Sequence, residues 1–320
     1  MDAVYLGSTG LRVSEFALGT WRFGREDATG AVEIDKQRAF ELLDVYADHG
    51  GRFIDAADMY GDGRAERWIG EWFADRAWDR ESFVVASKVY WPTRDDPNGR
   101  GLGRKHLRRS LDGILGRLGT DRLDVLYAHR WDDDTPAEEF LRTLDGFVDD
   151  GRVHYLGTST FEPNAWKVAR ANELADRRGY EPFTVAQPRY NLVDREIAGN
   201  YREMCDHYGI GVCPWSPLAG GFLSGKYGRE RPVPEGSRAA RSDDFADRYF
   251  TERNFGVLDV LQDVAAEVET PPAAVALAWL RERGTVPVVG ARTPAQLEAN
   301  LRATEVALTD SQRRRLTEAH

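Results

Sequence analysis

Four side chains suited to moving protons fall at or just past the ends of short apolar runs. Asp55 follows Phe53-Ile54, Tyr60 lies in the next loop, Lys88 follows Val84-Val85-Ala86-Ser87, and His129 follows Leu123–Ala128. A free phenol is a weak acid, with a pKa of ~10. An ammonium beside it favours the phenolate, so Lys88 is expected to lower the Tyr60 pKa and ease proton release. Asp55 would keep that ammonium charged and in place, while His129 would orient an oxygen or relay the proton. The set suits carbonyl reduction, in which a proton must reach the oxygen while hydride attacks the carbon. A Lys–Asp pair alone reads more readily as a structural ion pair, and a lone His as a structural hydrogen-bonding group. Only their joint placement at strand ends favours catalysis. The remaining histidines, His49, His106, His154, His207 and His320, have no such placement and receive no role.

That placement requires a particular scaffold. Short apolar runs at Phe16–Thr20, Phe53–Asp58, Phe83–Val89, Leu123–His129, His154–Ser159, Thr184–Tyr190, Gly211–Ser216 and Val286–Gly290 read as strands. They are continuous rather than alternating, as in strands buried on both faces. Amphipathic helices are expected between them at Gln37–His49, Arg64–Asp75, Arg104–Arg117, Ala137–Asp150 and Pro163–Arg178. Asp35 and Thr135 are expected helix starts, with Gly50, Gly119, Gly151 and Gly179 as stops. Strand followed by helix, eight times over, predicts an α/β fold of the closed (β/α)8 type, in which active sites gather at the C-terminal ends of the strands. A doubly wound dinucleotide fold would need a Gly-x-Gly-x-x-Gly turn after its first strand; the chain reads Trp21-Arg22-Phe23-Gly24 there. Val4–Val13, turning at Gly7-Ser8-Thr9-Gly10, reads as a hairpin before the first barrel strand. Leu218–Phe250 is a long Gly/Pro/Arg-rich insertion, of the kind that is usually functional or mobile. With no linker legible, residues 1–320 read as one domain.

Bulk composition narrows the class. Hydrophobic residues at 42% and charged ones at 30% fit an ordinary globular chain. A net charge of −10 disfavours nucleic acid and anionic membranes as partners. Two cysteines, Cys205 and Cys213, exclude a disulfide framework or a Cys-rich zinc site, and both are expected to be buried thiols. The Asp132-Asp133-Asp134 run reads as a solvated loop, and no metal site is expected. Neither a signal peptide nor a membrane-length apolar run is legible, so the expected setting is the cytoplasm.

The segment Gly51-Arg52-Phe53-Ile54-Asp55-Ala56-Ala57-Asp58-Met59-Tyr60-Gly61, followed by Glu66-Arg67-Trp68-Ile69-Gly70, closely resembles the aldo-keto reductase signature. With Ala86-Ser87-Lys88 and Leu126-Tyr127-Ala128-His129-Arg130, all four positions of that family's Asp–Tyr–Lys–His tetrad are filled. The likeness runs from near Leu6 to about Leu316. Gly101-Leu102-Gly103-Arg104-Lys105-His106 and Trp215-Ser216-Pro217-Leu218 resemble the bacterial and potassium-channel β-subunit-like branch. The resemblance implies that Tyr60 is the general acid/base, that Lys88 and Asp55 tune it, and that His129 positions the carbonyl oxygen.

It also implies contacts with NADPH, favoured here over NADH. Thr20, Trp21 and Asp55 would lie beside the nicotinamide ribose, with Ser159, Thr160 and Gln187 at the carboxamide; Thr160 stands where Asn is common. Trp215 would stack on nicotinamide, a task open to any aromatic face. Ser216, Pro217 and Leu218 complete the segment that carries this ring, while Gly220, Lys226 and Arg238 would surround the pyrophosphate. Gly290, Arg292, Gln296 and Asn300 resemble the adenosine and 2′-phosphate site, where Arg292 offers a fork-shaped contact and a helix beginning near Pro294 offers N–H groups. Phe23, Trp91 and Trp131 follow strand ends and are candidate walls for a small-molecule carbonyl substrate. The alternative function is a regulatory, channel β-subunit-like protein that binds NADPH with little turnover; His129 counts against it, since such members usually lack His there. His129 also weakens a third option, reduction of a carbon–carbon double bond. Substrate identity, reaction direction and homo-oligomer formation are not legible.

Overall fold

The computed structural model describes residues 1–27, 30–76, 78–162 and 164–320. β1 (Ala3–Tyr5) and β2 (Arg12–Ser14) pair antiparallel as the expected hairpin. The repeat then runs β3 (Ala17–Gly19), α1 (Lys36–Asp48), β4 (Phe53–Asp55), α2 (Arg64–Asp75), β5 (Val84–Val89), α3 (Arg104–Leu118), β6 (Leu123–Ala128) and α4 (Ala137–Asp149). It continues through β7 (Val153–Ser159), α5 (Ala165–Arg178), β8 (Phe183–Gln187), α6 (Asn200–Tyr208) and β9 (Gly211–Val212). The last part holds α7 (Asp243–Tyr249), α8 (Glu252–Glu267), α9 (Pro272–Arg281), β10 (Val288–Val289), α10 (Pro294–Leu301) and α11 (Asp310–Glu318).

The strands β3 to β10 form one parallel sheet in the order β10-β3-β4-β5-β6-β7-β8-β9. Its two outer strands meet through backbone bonds from Val286 N to Val212 O and from Val288 N to Pro214 O, each 2.9 Å. The sheet thus closes on itself as a (β/α)8 barrel. Inside it, alternate strand residues such as Ala17, Phe53, Val125, Tyr127 and Val185 form a core separate from the larger one between sheet and helices. Leu6 and Val13 of the hairpin join this inner core, so the hairpin covers the N-terminal end of the barrel. The fit is close: at Gly7, with φ +61°, an added Cβ would meet Gly209 O at 2.4 Å.

α1 shows why the helices form where they do. Asp35 accepts the Arg38 amide as N-cap, and Ala39, Leu42, Leu43, Tyr46 and Ala47 make one buried stripe. The Tyr46 hydroxyl lies 2.7 Å from Phe16 O and accepts from Phe53 N at 3.0 Å, fastening the helix to two strands. Gly119 and Gly179 cap α3 and α5 as expected, and Gly50 and Gly151 follow the caps of α1 and α4.

Several boundaries differ from expectation for local reasons. β9 and β10 are only two residues each because Pro214 and Pro287 have no N–H to give a ladder. Pro188 likewise follows the end of β8, and β4 ends at Asp55 rather than Asp58. Thr135 does not cap α4; Pro136 holds that position, and the Thr135 hydroxyl donates to Asp132 at 2.7 Å. Asp132 itself is buried, accepting Leu102 N at 2.7 Å, so it ties two loops together instead of facing solvent. The expected start of α5, Pro163, lies outside the described residues. The insertion folds around an aromatic cluster of Phe222, Tyr227, Phe245, Tyr249, Phe250 and Phe255.

Candidate active site

Asp55 ends β4, Lys88 lies near the end of β5, and His129 directly follows β6. Tyr60 opens a short 3-10 turn over Tyr60–Gly63 that feeds α2. Barrel closure brings the four together at the C-terminal mouth. Lys88 is 0% exposed, and its three N–H groups have three partners: Asp55 Oδ2 at 2.7 Å, Ala56 O at 2.7 Å and the Tyr60 hydroxyl at 3.2 Å. The ammonium is therefore satisfied and aimed, with one N–H directed at the phenol oxygen. Asp55 keeps its other oxygen for Gln187 Nε2, at 2.8 Å.

Electrostatics correct one expectation. Burial pushes the Tyr60 pKa up, and the pull of Lys88 in the opposite direction does not overcome it. The phenol accordingly keeps its proton near neutrality, as a donor must. For Lys88, burial disfavours the charge, but Asp55 and Tyr60 outweigh it and raise the pKa. Burial first, then the Lys88 charge, holds His129 well below the usual imidazole value. His129 is thus neutral, and its Nδ1 has no hydrogen-bond partner among the described residues. Its ring meets Tyr60 edge-on at 6.0 Å and Trp91 at 6.3 Å. An oxygen held between the Tyr60 hydroxyl and this imidazole would meet one proton donor and one neutral hydrogen-bonding group.

The expected cofactor residues gather round the same mouth. The Thr20 hydroxyl donates to Asp55 O at 2.9 Å, and the Ser159 hydroxyl donates to Gln187 O at 3.1 Å. Thr160 sits at φ +55°, a region that a β-branched residue adopts only under strain. One face of Trp215 is covered by Arg189, whose guanidinium carbon is 4.3 Å from the ring centroid; the indole Nε1 is buried without a partner among the described residues. Ser216 and Ala219 have positive φ, and Pro217 and Leu218 lead into a 3-10 turn over Ala219–Ser224. Gly220 and Gly221 also have positive φ; a Cβ on Gly221 would lie 3.3 Å from Lys226 Nζ, and one on Gly220 would lie 3.3 Å from Arg238 Nη1. Bare backbone is thereby held beside two cations, a cradle that fits a diphosphate. Trp21 lies beneath the Arg25 guanidinium, 3.6 Å from its centroid.

Gly290 follows β10, and Arg292 N donates to Gln296 Oε1 at 2.9 Å. Thr293 caps α10, leaving its N-terminus beside Arg292, while Asn300 is buried on the same helix. Trp131 packs edge-on against Phe140 and Phe161. Phe23 is a correction: at 1% exposure and bridged to Ile34 it belongs to the core and offers no wall to a substrate.

Sequence reading missed two buried acids beneath the tetrad and a carboxylate at its rim. Glu66 accepts the Ser87 hydroxyl and Arg117 Nε, the latter at 2.6 Å. Asp58 is buried beside it, and neither of its carboxyl oxygens has a hydrogen-bond partner among the described residues. Glu33 lies among arginines near Arg292. Their positions in sequence carried no signal, because burial of a charge is a tertiary property. Among the described residues no group of three His, Cys, Asp or Glu side chains could hold a metal, and no helix is long and apolar enough to cross a membrane.

Known proteins resemble this chain along nearly its whole length. The model of the aldo/keto reductase family matches residues 15–320. The chain is 35% identical to the uncharacterized oxidoreductase YrpG of Bacillus subtilis, over 96% of this chain and 92% of that one. It is also 35% identical to a probable voltage-gated potassium channel subunit beta of Oryza sativa, over 94% and 90% of the two chains. Norsolorinic acid reductase A of Aspergillus parasiticus is 32% identical over 98% of this chain and 79% of its own length. A barrel with these side chains at its mouth, matched from its first strand to its last helix, belongs to the aldo/keto reductase family of oxidoreductase enzymes.

Proposed function

We propose that this enzyme reduces an aldehyde or ketone to the alcohol, with NADPH as hydride source and Tyr60 as proton donor. The observation that carries the reading is the 3.2 Å contact from Lys88 Nζ to the Tyr60 hydroxyl, with the ammonium itself held by Asp55. When bound, the dinucleotide supplies the hydride that adds to the carbonyl carbon. Tyr60 gives its proton to the carbonyl oxygen, and the phenolate left behind is stabilised by the Lys88 ammonium. Neutral His129 holds the same oxygen in line, and Trp91 and Trp131 flank the entrance. Trp215 would hold the nicotinamide ring, Ser159, Thr160 and Gln187 its carboxamide, and Lys226 and Arg238 the diphosphate. Arg292, with Gln296 and Asn300, would meet the adenosine and its 2′-phosphate. Such an enzyme works in the cytoplasm, where the unpaired buried thiols Cys205 and Cys213 stay reduced.

A second reading, a dinucleotide-binding regulatory subunit with little turnover, draws on the likeness to the rice channel subunit. NADPH consumption across sugars, simple aldehydes, ketones and pyridoxal separates the two. Tyr60→Phe is expected to lose roughly a hundredfold or more in turnover while binding NADPH nearly as before. Undiminished turnover in that variant rejects Tyr60 as the acid.

A further inference from the structure

Three loops at the mouth of the barrel converge on one carboxylate. The loop after β3 supplies Arg22, Arg25 and Glu33, the loop after β10 supplies Arg292, and the long insertion supplies Arg238. The Glu33 side chain is only 8% exposed. Arg22 Nη1 donates to Glu33 Oε2, and Arg25 Nη1 lies 3.4 Å from Oε1. Arg292 Nη2 lies 3.7 Å from Oε2, within ion-pair range but too far for a hydrogen bond. The only hydrogen bond from the Arg292 guanidinium among the described residues is a long one, 3.4 Å from Nη1 to Gly236 O.

Charge in this cluster does not balance. Burial lowers the pKa of Arg22, Arg238 and Arg292, and each is further lowered by neighbouring guanidinium groups. One carboxylate thus serves several cations that repel one another, in a setting suited to an anion of higher charge. The backbone under Glu33 is held in place. Its backbone N donates to Arg25 O at 2.8 Å, and bridges from Phe23 to Ile34 and from Glu26 to Val32 hold the loop on either side of it.

We propose that Glu33 is a specificity-determining residue for the coenzyme, opposing a 2′-phosphate at Arg292 and so narrowing the preference for NADPH over NADH. This rests on the reading that Arg292 meets the 2′ position of the adenosine ribose. A phosphate dianion arriving at Arg292 meets the fixed negative charge of Glu33 in a partly dry site, where repulsion is poorly screened. A ribose 2′-hydroxyl carries no charge and offers a carboxylate a hydrogen bond. Glu33 therefore disfavours one dinucleotide and spares the other, which is how a fixed charge sets specificity.

The test is calorimetric titration of NADP+ and NAD+ into the wild type and Glu33→Gln, a change that keeps shape and removes charge. The expected result is NADP+ binding tighter by about tenfold, NAD+ unchanged or weaker, and a correspondingly higher ratio of the two dissociation constants. An unchanged or reduced ratio overturns the proposal. Should Glu33→Gln fail to fold, Glu33→Ser titrated with 2′,5′-ADP and 5′-ADP carries the same expectation. Wild type that binds neither dinucleotide removes the coenzyme reading and this inference with it. Wild type that binds NADP+, beside a variant of unaltered ratio, removes only the role of Glu33.

Discussion

Gln187 and Asp55, 132 residues apart, are joined by a hydrogen bond of 2.8 Å from the amide Nε2 to the carboxylate Oδ1. Because the other Asp55 oxygen takes Lys88, a single carboxylate links β8 to β5 through the inside of the barrel. The proposed carboxamide contact and the proposed acid are thus three hydrogen bonds apart, through Asp55 and Lys88, which makes Asp55 the sensitive joint of the site.

Lys88→Met should expose that sensitivity. It leaves Asp55 buried without its cation, a loss of roughly 3–5 kcal/mol where a buried pair is broken on one side. The double change Asp55→Asn with Lys88→Met should recover much of the loss, because neither charge then remains buried. Urea unfolding of the wild type, the single and the double variant measures both steps.

His129 gives stability a pH dependence of known sign. Its folded pKa lies well below 6.5, so the unfolded chain takes up the proton first as pH falls. Its contribution is fully present above the unfolded value and is lost as pH falls from there through the folded value. His129→Asn should remove this part of the acid-side slope. An identical slope in the two proteins, read from urea midpoints across pH, would place the titrating group elsewhere.

Asp58 should behave in the opposite sense. Burial first, then the Glu66 carboxylate, push its pKa well above the ordinary value, so the folded state favours the neutral acid. Stability tied to this group is present below the unfolded pKa and lost as pH rises through the folded one. Asp58→Asn copies the neutral acid and cannot ionise. Thermal melts should show it matching the wild type in acid and exceeding it increasingly as pH rises; a variant less stable throughout contradicts this.

Arg292→Ala tests the proposed 2′-phosphate contact directly. A hydrogen bond to a charged group is worth about 1.5–3 kcal/mol, so NADP+ binding should weaken by at least about tenfold. NAD+ binding should change far less. Equal losses for both ligands, by titration, would remove Arg292 from that position.

Much of this site was legible in the sequence because strand ends are marked by the apolar runs that precede them. Asp55, Lys88 and His129 could be placed without coordinates, and Tyr60 from its place in the loop that follows. The direction of the Tyr60 pKa was not legible, because a neighbouring charge shows in the chain while desolvation does not. β9 and β10 were overestimated where Pro214 and Pro287 deny the ladder its N–H groups. Asp132 looked like surface in a run of three acids, and only the fold shows it receiving Leu102 N and the Thr135 hydroxyl. Glu33 gave no sign, being one acid among many until three loops closed round it.

The aromatic nucleus beneath the insertion changes how that segment contributes to affinity. Phe222 touches Tyr227, Tyr249, Phe250 and Phe255, so the turn bearing Gly220 and Gly221 grows from a packed root. Its entropy is surrendered when the chain folds rather than when a dinucleotide arrives. A dinucleotide held there as proposed would draw on a finished receptacle, and truncating Phe222 should then lower the association constant although the ring itself is fully buried.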